Sequence, residues 1–130
     1  MKSAIREYTG KNIDLNKLAD RIEEFFREQK FNVQRGNHPK GIVIQAKKEG
    51  ILRTIFAADQ ALTVVISGDP NNVTVRIGVA DWLKDLTVAA IEGIILTPLL
   101  WFFEIPESLW VFEIEHNLWK YIEEQLELGL

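Results

Sequence analysis

Cysteine is absent from the 130-residue chain, which excludes disulfides, thiolate nucleophiles and zinc sites built on cysteine. Histidine is scarce: His38 lies in a Pro-containing turn and His116 in the last predicted helix, and this separation lacks the paired spacing of metal ligands. Glycine-rich phosphate loops and the nucleophile elbow are also missing. We therefore expect no catalytic residue, no metal and no cofactor, and we predict that the protein is not an enzyme.

The opening segment "MKSAIREYTGKN" lacks the apolar core of a secretory signal, so we expect a cytoplasmic protein. Apolar residues make up 47% of the chain and charged residues 26%, which is the balance of a globular protein. A chain of this length buries about two thirds of its unfolded surface in a single core. No linker or repeat divides it, so the sequence predicts one domain over residues 1–130.

Positive and negative charges are unevenly divided along the chain. Residues 1–60 contain twelve Lys or Arg against eight Asp or Glu, whereas residues 61–130 contain three against eleven. Such a division supports head-to-tail contacts or orientation at a membrane, and it also fits charges that only solvate opposite ends of one domain. We expect no nucleic-acid partner, because the net charge of −4 is acidic.

The segment 14–30 has the period of an amphipathic helix. Its apolar residues recur at steps of three and four, at Leu15, Leu18, Ile22, Phe25 and Phe26. Asp14 is placed to cap this helix, and Ile13 is placed to pack on Leu18 as a hydrophobic staple.

A two-residue period follows, in the segments "FNVQR", "GIVIQAKK", "ILRTIFA", "ALTVVIS" and "VTVRIGV". The short turns between them predict an antiparallel meander of four to five strands. One face of the last two strands is apolar and seeks cover, while the other is polar. The predicted open polar face, on which a partner or an anionic group would dock, consists of Arg53, Arg76, Thr74, Gln45, Lys47 and Thr63.

The last predicted helix, from about residue 108 to 128 with Gly129 as its C-cap, has an apolar arc of roughly 200 degrees. One sheet face requires a narrower stripe, so the excess predicts a second apolar neighbour, either the preceding helix or another copy of the chain. The predicted interaction surface consists of Phe112, Trp119, Trp110 and Glu115.

The stretch "DLTVAAIEGIILTPLLWFFE", residues 85–104, fits two opposite placements. Residues 86–103 would give about 27 Å of helix, close to the thickness of a bilayer. Against a simple span, Pro98 interrupts the helical pattern and Glu92 is costly in lipid. The alternative is a buried helix that ends before Pro98 and packs, with the last helix, on one sheet face of an α+β domain.

Three segments carry a resemblance: "VRIGVADWLKD", the apolar run with "TPLLWFFE", and "IPESLWVFEIEHNLWKYIEEQL". They resemble the C-terminal part of a family of small uncharacterised prokaryotic proteins, a domain of unknown function. The resemblance implies an N-terminal helix, a β-meander, a Gly-x-x-x-Trp segment, an apolar Pro-containing hairpin and an amphipathic tail. It implies no activity, and Glu92 departs from the glycine-rich apolar segment of that family.

The leading functional prediction is a non-catalytic interaction or assembly module that self-associates through its C-terminal helices, so that its main partner is itself in a homo-oligomer. The first alternative is a protein held at the cytoplasmic face of a membrane by residues 86–103. The second is a carrier of a small hydrophobic molecule, in a cavity lined by Val64, Ile66, Val75 and Ile77.

Overall fold

The computed structural model describes residues 4–47, 60–96 and 109–129. Its elements in chain order are β1 (Ala4–Thr9), α1 (Leu15–Glu28), β2 (Asn32–His38), β3 (Gly41–Lys47), β4 (Gln60–Asp69), β5 (Asn72–Asp81), α2 (Val88–Leu96) and α3 (Leu109–Leu128). The five strands form one antiparallel sheet in the order β1-β5-β4-β3-β2. The predicted α+β class with an antiparallel meander is therefore confirmed.

The meander consists of β2 to β5, and the fifth strand of the sheet is β1, which pairs with β5. The sequence did not predict β1 as a strand, because its segment "AIREYT" carries adjacent charges at Arg6 and Glu7 and little apolar alternation. The segment "ILRTIFA", which was predicted as a strand, lies outside the described residues.

Helix α1 forms where the sequence predicts it. The Asp14 side chain caps it by accepting a hydrogen bond from the Lys17 backbone N–H at 3.1 Å. Ile13 and Leu18, the predicted staple pair, are both buried. One apolar stripe of α1 therefore enters the core, as its period requires.

The larger core lies on one side of the sheet, which we call the first face. Here α1 and α3 cover the side chains of alternate strand residues, among them Ile44, Leu62, Val64, Ile66, Val75 and Ile77. The Phe25 ring of α1 lies 5.3 Å from the Tyr121 ring of α3, measured between centroids. Since the strand side chains alternate, their neighbours point to the opposite side, the second face.

Helix α2 covers part of the second face. Ile91 and Ile94 of α2 pack with Val43 and Val65 in a smaller core. Gly36 of β2 makes this approach possible, because an added Cβ there would overlap Cδ1 of Ile91. The prediction that both C-terminal helices pack on one sheet face is thus wrong in one respect: α2 and α3 lie on opposite faces.

The turn of the chain onto the second face is fixed by a buried amide. Gln45 accepts a hydrogen bond from the Leu83 backbone N–H at 2.9 Å and donates to the Asp81 carbonyl oxygen at 2.7 Å. It also donates to the Thr63 hydroxyl at 3.1 Å and accepts from Gln34 at 2.9 Å. The chain that leaves β5 is therefore held against the sheet, and it carries α2 onto the second face.

Gln45 and Thr63 correct part of the predicted open polar face. Both lie on the second face, as the alternation requires, but both are fully buried. Amide and hydroxyl groups tolerate burial when hydrogen bonds satisfy them, and these groups are satisfied by one another and by backbone. Sequence periodicity identifies the face of a strand residue and not what covers that face.

The hairpin between β4 and β5 anchors the connection from β1 to α1. The carbonyl oxygen of Pro70 accepts from the Ile13 N–H at 2.8 Å, and that of Asn71 accepts from the Gly10 N–H at 2.9 Å. The Asn71 side chain accepts from the Asn12 N–H at 3.0 Å. The segment "SGDPNN", with its many oxygen atoms, therefore acts as a turn that positions both β1 and α1.

Among the described helices, none is long and apolar enough to span a membrane. The described part of α2 is Val88–Leu96. Residues 97–103, the remainder of the predicted membrane segment, lie outside the described residues.

Candidate functional site

The two edge strands of the sheet differ in how they are covered. Helices α1 and α2 pack beside β2 on opposite faces, and Arg35 of β2 bonds to Asp20 and Asn16 of α1. Four of the five β1 side chains that the structure describes are exposed, against two of seven in β2. In the described part of the chain, β1 pairs with β5 and has no strand on its other side. Among the described residues, the edge of β1 is thus less covered than that of β2.

Ile5 gives this edge an exposed apolar side chain. Its side chain points to the second face and is 53% exposed, although most large apolar residues described in the structure are buried. Its Cα partner on β5 is Arg76, and the next pair on the same face is Glu7 with Thr74. Native edge strands are commonly protected by charge, bulges or a covering element, so an exposed Ile on a strand edge requires an explanation.

Arg76 and Thr74, two members of the predicted polar face, therefore lie on the second face next to β1. Both are half-buried. Burial lowers the pKa of the Arg76 guanidinium. The third member, Arg53, lies outside the described residues.

On the first face, β1 is attached to α3 through one carboxylate. Glu123 accepts a hydrogen bond from Arg6 at 2.6 Å and another from the Tyr8 hydroxyl at 3.1 Å. The Arg6 guanidinium also stacks over the Trp119 ring, 4.7 Å from its centroid. These contacts fix β1 to the last helix.

Trp119 was predicted as part of an interaction surface, but its side chain is only 4% exposed. Its indole N–H donates to Glu115 at 3.4 Å, and the Arg6 guanidinium covers its ring. Part of the wide apolar arc of α3 is therefore covered by residues of the same chain. Glu115 is half-buried. Trp110 and Phe112 belong to α3, and their side chains lie outside the described ones.

Sequence reasoning missed Ile5, Arg6 and Tyr8, and it did not assign Glu123 to these partners. Only one signal pointed to them, the alternation of Arg6 and Tyr8 with Ile5 and Glu7, and it spans too few residues to distinguish a strand from a loop. The role of Glu123 depends on the packing of α3 beside β1, which no local pattern encodes.

Tyr8 is the most perturbed of the titratable groups described near the edge. Burial, followed by the charge of Glu123 and the hydrogen bond to it, raises the pKa of Tyr8 to about 12. Burial and the charges of Glu24 and Glu28 also raise the pKa of Tyr121. The chain has only these two tyrosines, so its phenols report on both packing surfaces of α3.

Both tyrosines of the folded protein are expected to ionise above the ordinary pKa of 10.0. Because unfolded Tyr8 ionises near pH 10 and folded Tyr8 near pH 12, its contribution to stability is present below pH 10 and is lost as the pH rises towards 12. Tyrosinate absorbance of the native and the urea-unfolded chain measures both titrations. Between pH 10 and pH 12, Tyr8→Phe should lose less stability than the wild-type chain. Native phenols that titrate at pH 10 would contradict the burial of the two tyrosines and the bond between Tyr8 and Glu123.

The two histidines lie in different elements of the fold. His38 accepts a hydrogen bond from the Lys40 N–H at 3.1 Å within the turn between β2 and β3, and His116 is exposed on α3. In the described ranges, no group of three His, Asp or Glu side chains is arranged to hold a metal ion.

The four residues predicted to line a ligand cavity are fully buried in the core of the first face: Val64, Ile66, Val75 and Ile77. A ligand at that place would have to displace packed side chains.

Comparison of the chain with protein-family models, with curated proteins and with solved structures finds no match.

Proposed function

We propose that the protein is a non-catalytic assembly module that self-associates by pairing the free edge of β1 with β1 of a second copy. The observation that carries this proposal is Ile5, half-exposed on an edge strand that has no described neighbour on one side. An edge strand presents unpaired backbone N–H and C=O groups, and another strand is the partner that satisfies them in sequence.

The alternative edge, β2, is a poorer partner surface. An incoming strand at β2 would meet α1 on the first face and α2 on the second, both of which contact β2. At β1, α3 lies on the first face, and the second face carries the exposed side chains of Ile5 and Glu7. Strand addition at β1 therefore requires less rearrangement than at β2.

Pairing at β1 also supports a role for the C-terminal helices in assembly. A twofold axis perpendicular to the sheet keeps α3 of both copies on the same face, and Arg6, Tyr8 and Glu123 hold α3 beside the paired strand. The half-buried Glu115 and the exposed side of α3 then approach the equivalent helix. The contribution of Phe112 and Trp110 to this contact remains a prediction.

Ile5→Lys tests the proposal, with Leu128→Lys as its matched control. Ile5 and Leu128 are the exposed large apolar residues of the described chain, and Leu128 is the last residue of α3. Sedimentation of the untagged proteins, over concentrations up to the high micromolar range, measures the mass of each. One strand pair buries less than the ~1,200 Å² typical of stable complexes, so the association is expected to be weak.

We expect Ile5→Lys to remain folded and to sediment as a monomer at concentrations where the wild-type chain and Leu128→Lys form dimers. Circular dichroism of the variant checks the fold. Loss of the dimer in Leu128→Lys alone would indicate that the interface lies at the end of α3. A wild-type chain that stays monomeric throughout would refute the proposed function.

A further inference from the structure

We infer that a groove at one end of the sheet binds the oxyanion group, a carboxylate or a phosphate, of a small molecule. The groove lies between the start of α1 and the turn from β2 to β3, and its volume is about 450 Å³. Sites for small molecules commonly have volumes of about 300–1,000 Å³. None of the described lining residues belongs to β1, so the inference goes beyond the proposed self-association and does not depend on it.

Two amide side chains of the groove are oriented by one guanidinium group. Nε of Arg35 donates to the side-chain oxygen of Asn37 at 3.0 Å, and its Nη2 donates to that of Asn16 at 2.9 Å. Both asparagines line the groove. Since the oxygen and the nitrogen of an amide project from one planar group, an oxygen turned towards Arg35 leaves the NH2 group turned away from it, as a hydrogen-bond donor.

Arg35 is itself held in place from behind. Its Nη1 donates to Asp20 and lies 3.9 Å from a carboxylate oxygen of Glu23, and its side chain is 16% exposed. The amides that bond to this anchored group have already lost much of their rotamer freedom, so a ligand that contacts them orders less of the protein on binding.

His38 adds a third donor from the turn between β2 and β3. Its Nδ1 accepts a hydrogen bond from the Lys40 N–H at 3.1 Å, so the proton of the neutral ring is on Nε2. His38 is half-buried and also lines the groove. In all three polar side chains the described bonds use the acceptor atom, and the donors remain. An oxyanion accepts hydrogen bonds and donates none, so it matches this set.

The charges near the groove also fit an anion. None of the described lining residues carries a carboxylate, and Lys40 belongs to the turn that borders the groove. Asp14 and Asp69 are adjacent in sequence to lining residues, and each accepts the backbone N–H of a residue two or three positions further on, at 3.1 Å. Apolar side chains complete the lining, at Leu15, Pro39 and Ile42. They suit a short carbon skeleton attached to the oxyanion.

NMR titration of the full chain tests the inference, with sodium acetate as the carboxylate probe and sodium phosphate as the phosphate probe. Sodium chloride holds the ionic strength constant. We expect saturable shifts of the side-chain NH2 signals of Asn16 and Asn37, with a dissociation constant of about 1–10 mM for at least one probe. The probe that binds more tightly identifies the oxyanion. Equal shifts with chloride alone, or no saturable shift up to roughly 100 mM of either probe, would overturn the inference.

Asn37→Asp removes the NH2 donor and keeps an oxygen for Arg35, so the fold should be retained, which circular dichroism checks. We expect this variant to bind the preferred probe at least about tenfold more weakly than the wild-type chain, and Asn16→Asp to show the same loss. Asn32→Asp is the matched control, because it adds the same charge at an exposed residue at the other end of β2. Equal binding by Asn37→Asp and Asn32→Asp would overturn the role of the amides.

Arg35→Lys tests how the amides are oriented. Lysine keeps the positive charge but has no planar fork to hold two oxygens at once. We expect the side-chain NH2 signals of Asn16 and Asn37 to move towards the shifts of a free amide, and binding of the preferred probe to weaken. A variant that binds more weakly with both NH2 signals unchanged would show that Arg35 does not orient them.

Discussion

Replacing Gln45 by leucine is expected to lower the free energy of unfolding by roughly 3 kcal/mol, a large share of the 5–15 kcal/mol typical of a domain. The leucine has a similar volume, so packing is nearly conserved. The loss arises because the Leu83 N–H and the Asp81 carbonyl oxygen, in partly buried bonds, lose their hydrogen-bond partner, and so does the buried Thr63 hydroxyl. An orphaned buried polar group costs ~1–3 kcal/mol.

Asn32→Leu is the matched control for Gln45→Leu. Asn32 is an exposed amide of β2 on the same face of the sheet, and its replacement should change stability by less than about 0.5 kcal/mol. Urea unfolding gives both values, provided that the m-value stays constant. If the two variants unfold at the same urea concentration, Gln45 does not hold the chain after β5 in the way described.

Gly68→Ala is the second substitution for which we expect a large loss, roughly 2–3 kcal/mol or more. Gly68 precedes the turn between β4 and β5 and has φ 100°, a backbone conformation that side chains disfavour. An added Cβ would also overlap the carbonyl oxygen of Asn72, which belongs to the backbone and cannot move independently. Displacement of this hairpin would weaken its hydrogen bonds to Gly10 and Ile13 as well.

Gly10→Ala separates the cost of a side chain at positive φ from the cost of the overlap with Asn72. Gly10 also has positive φ, 67°, but a Cβ there would meet nothing within 4 Å. The variant should therefore lose only the conformational part, about 1 kcal/mol. Thermal unfolding of both variants measures the difference, and equal losses at the two glycines would show that the overlap with Asn72 is relieved without cost.

The parts of the fold that the sequence predicts are those in which one face of an element meets one neighbour. Helix α1 is predicted with its cap because Asp14 precedes a stripe of apolar residues. The inward residues of β4 and β5 are predicted because Leu62, Val64 and Val75 alternate with polar residues. In both cases the local pattern and the tertiary environment agree.

The parts that the sequence does not predict depend on contacts between distant segments. Gln45 has the same local pattern as an exposed strand residue, and only the return of the chain after β5 buries it. Gly36 admits Ile91 of α2, a pairing that no spacing reveals. Trp119 was predicted as part of an interaction surface, because the sequence does not show that Arg6 lies above its ring. The candidate site was missed for the same reason, since the position of β1 at the edge of the described sheet follows only from the order of all five strands.

Hydrogen exchange of the β1 amides, measured on the full chain at low and at high protein concentration, tests the central claim most directly. If β1 pairs with β1 of a second copy, its outward-facing amides become protected at high concentration, while the amides of the other edge strand, β2, exchange at an unchanged rate. If the mass rises with concentration but exchange in β1 does not slow, the chain assembles through another surface and the account of the free edge is wrong.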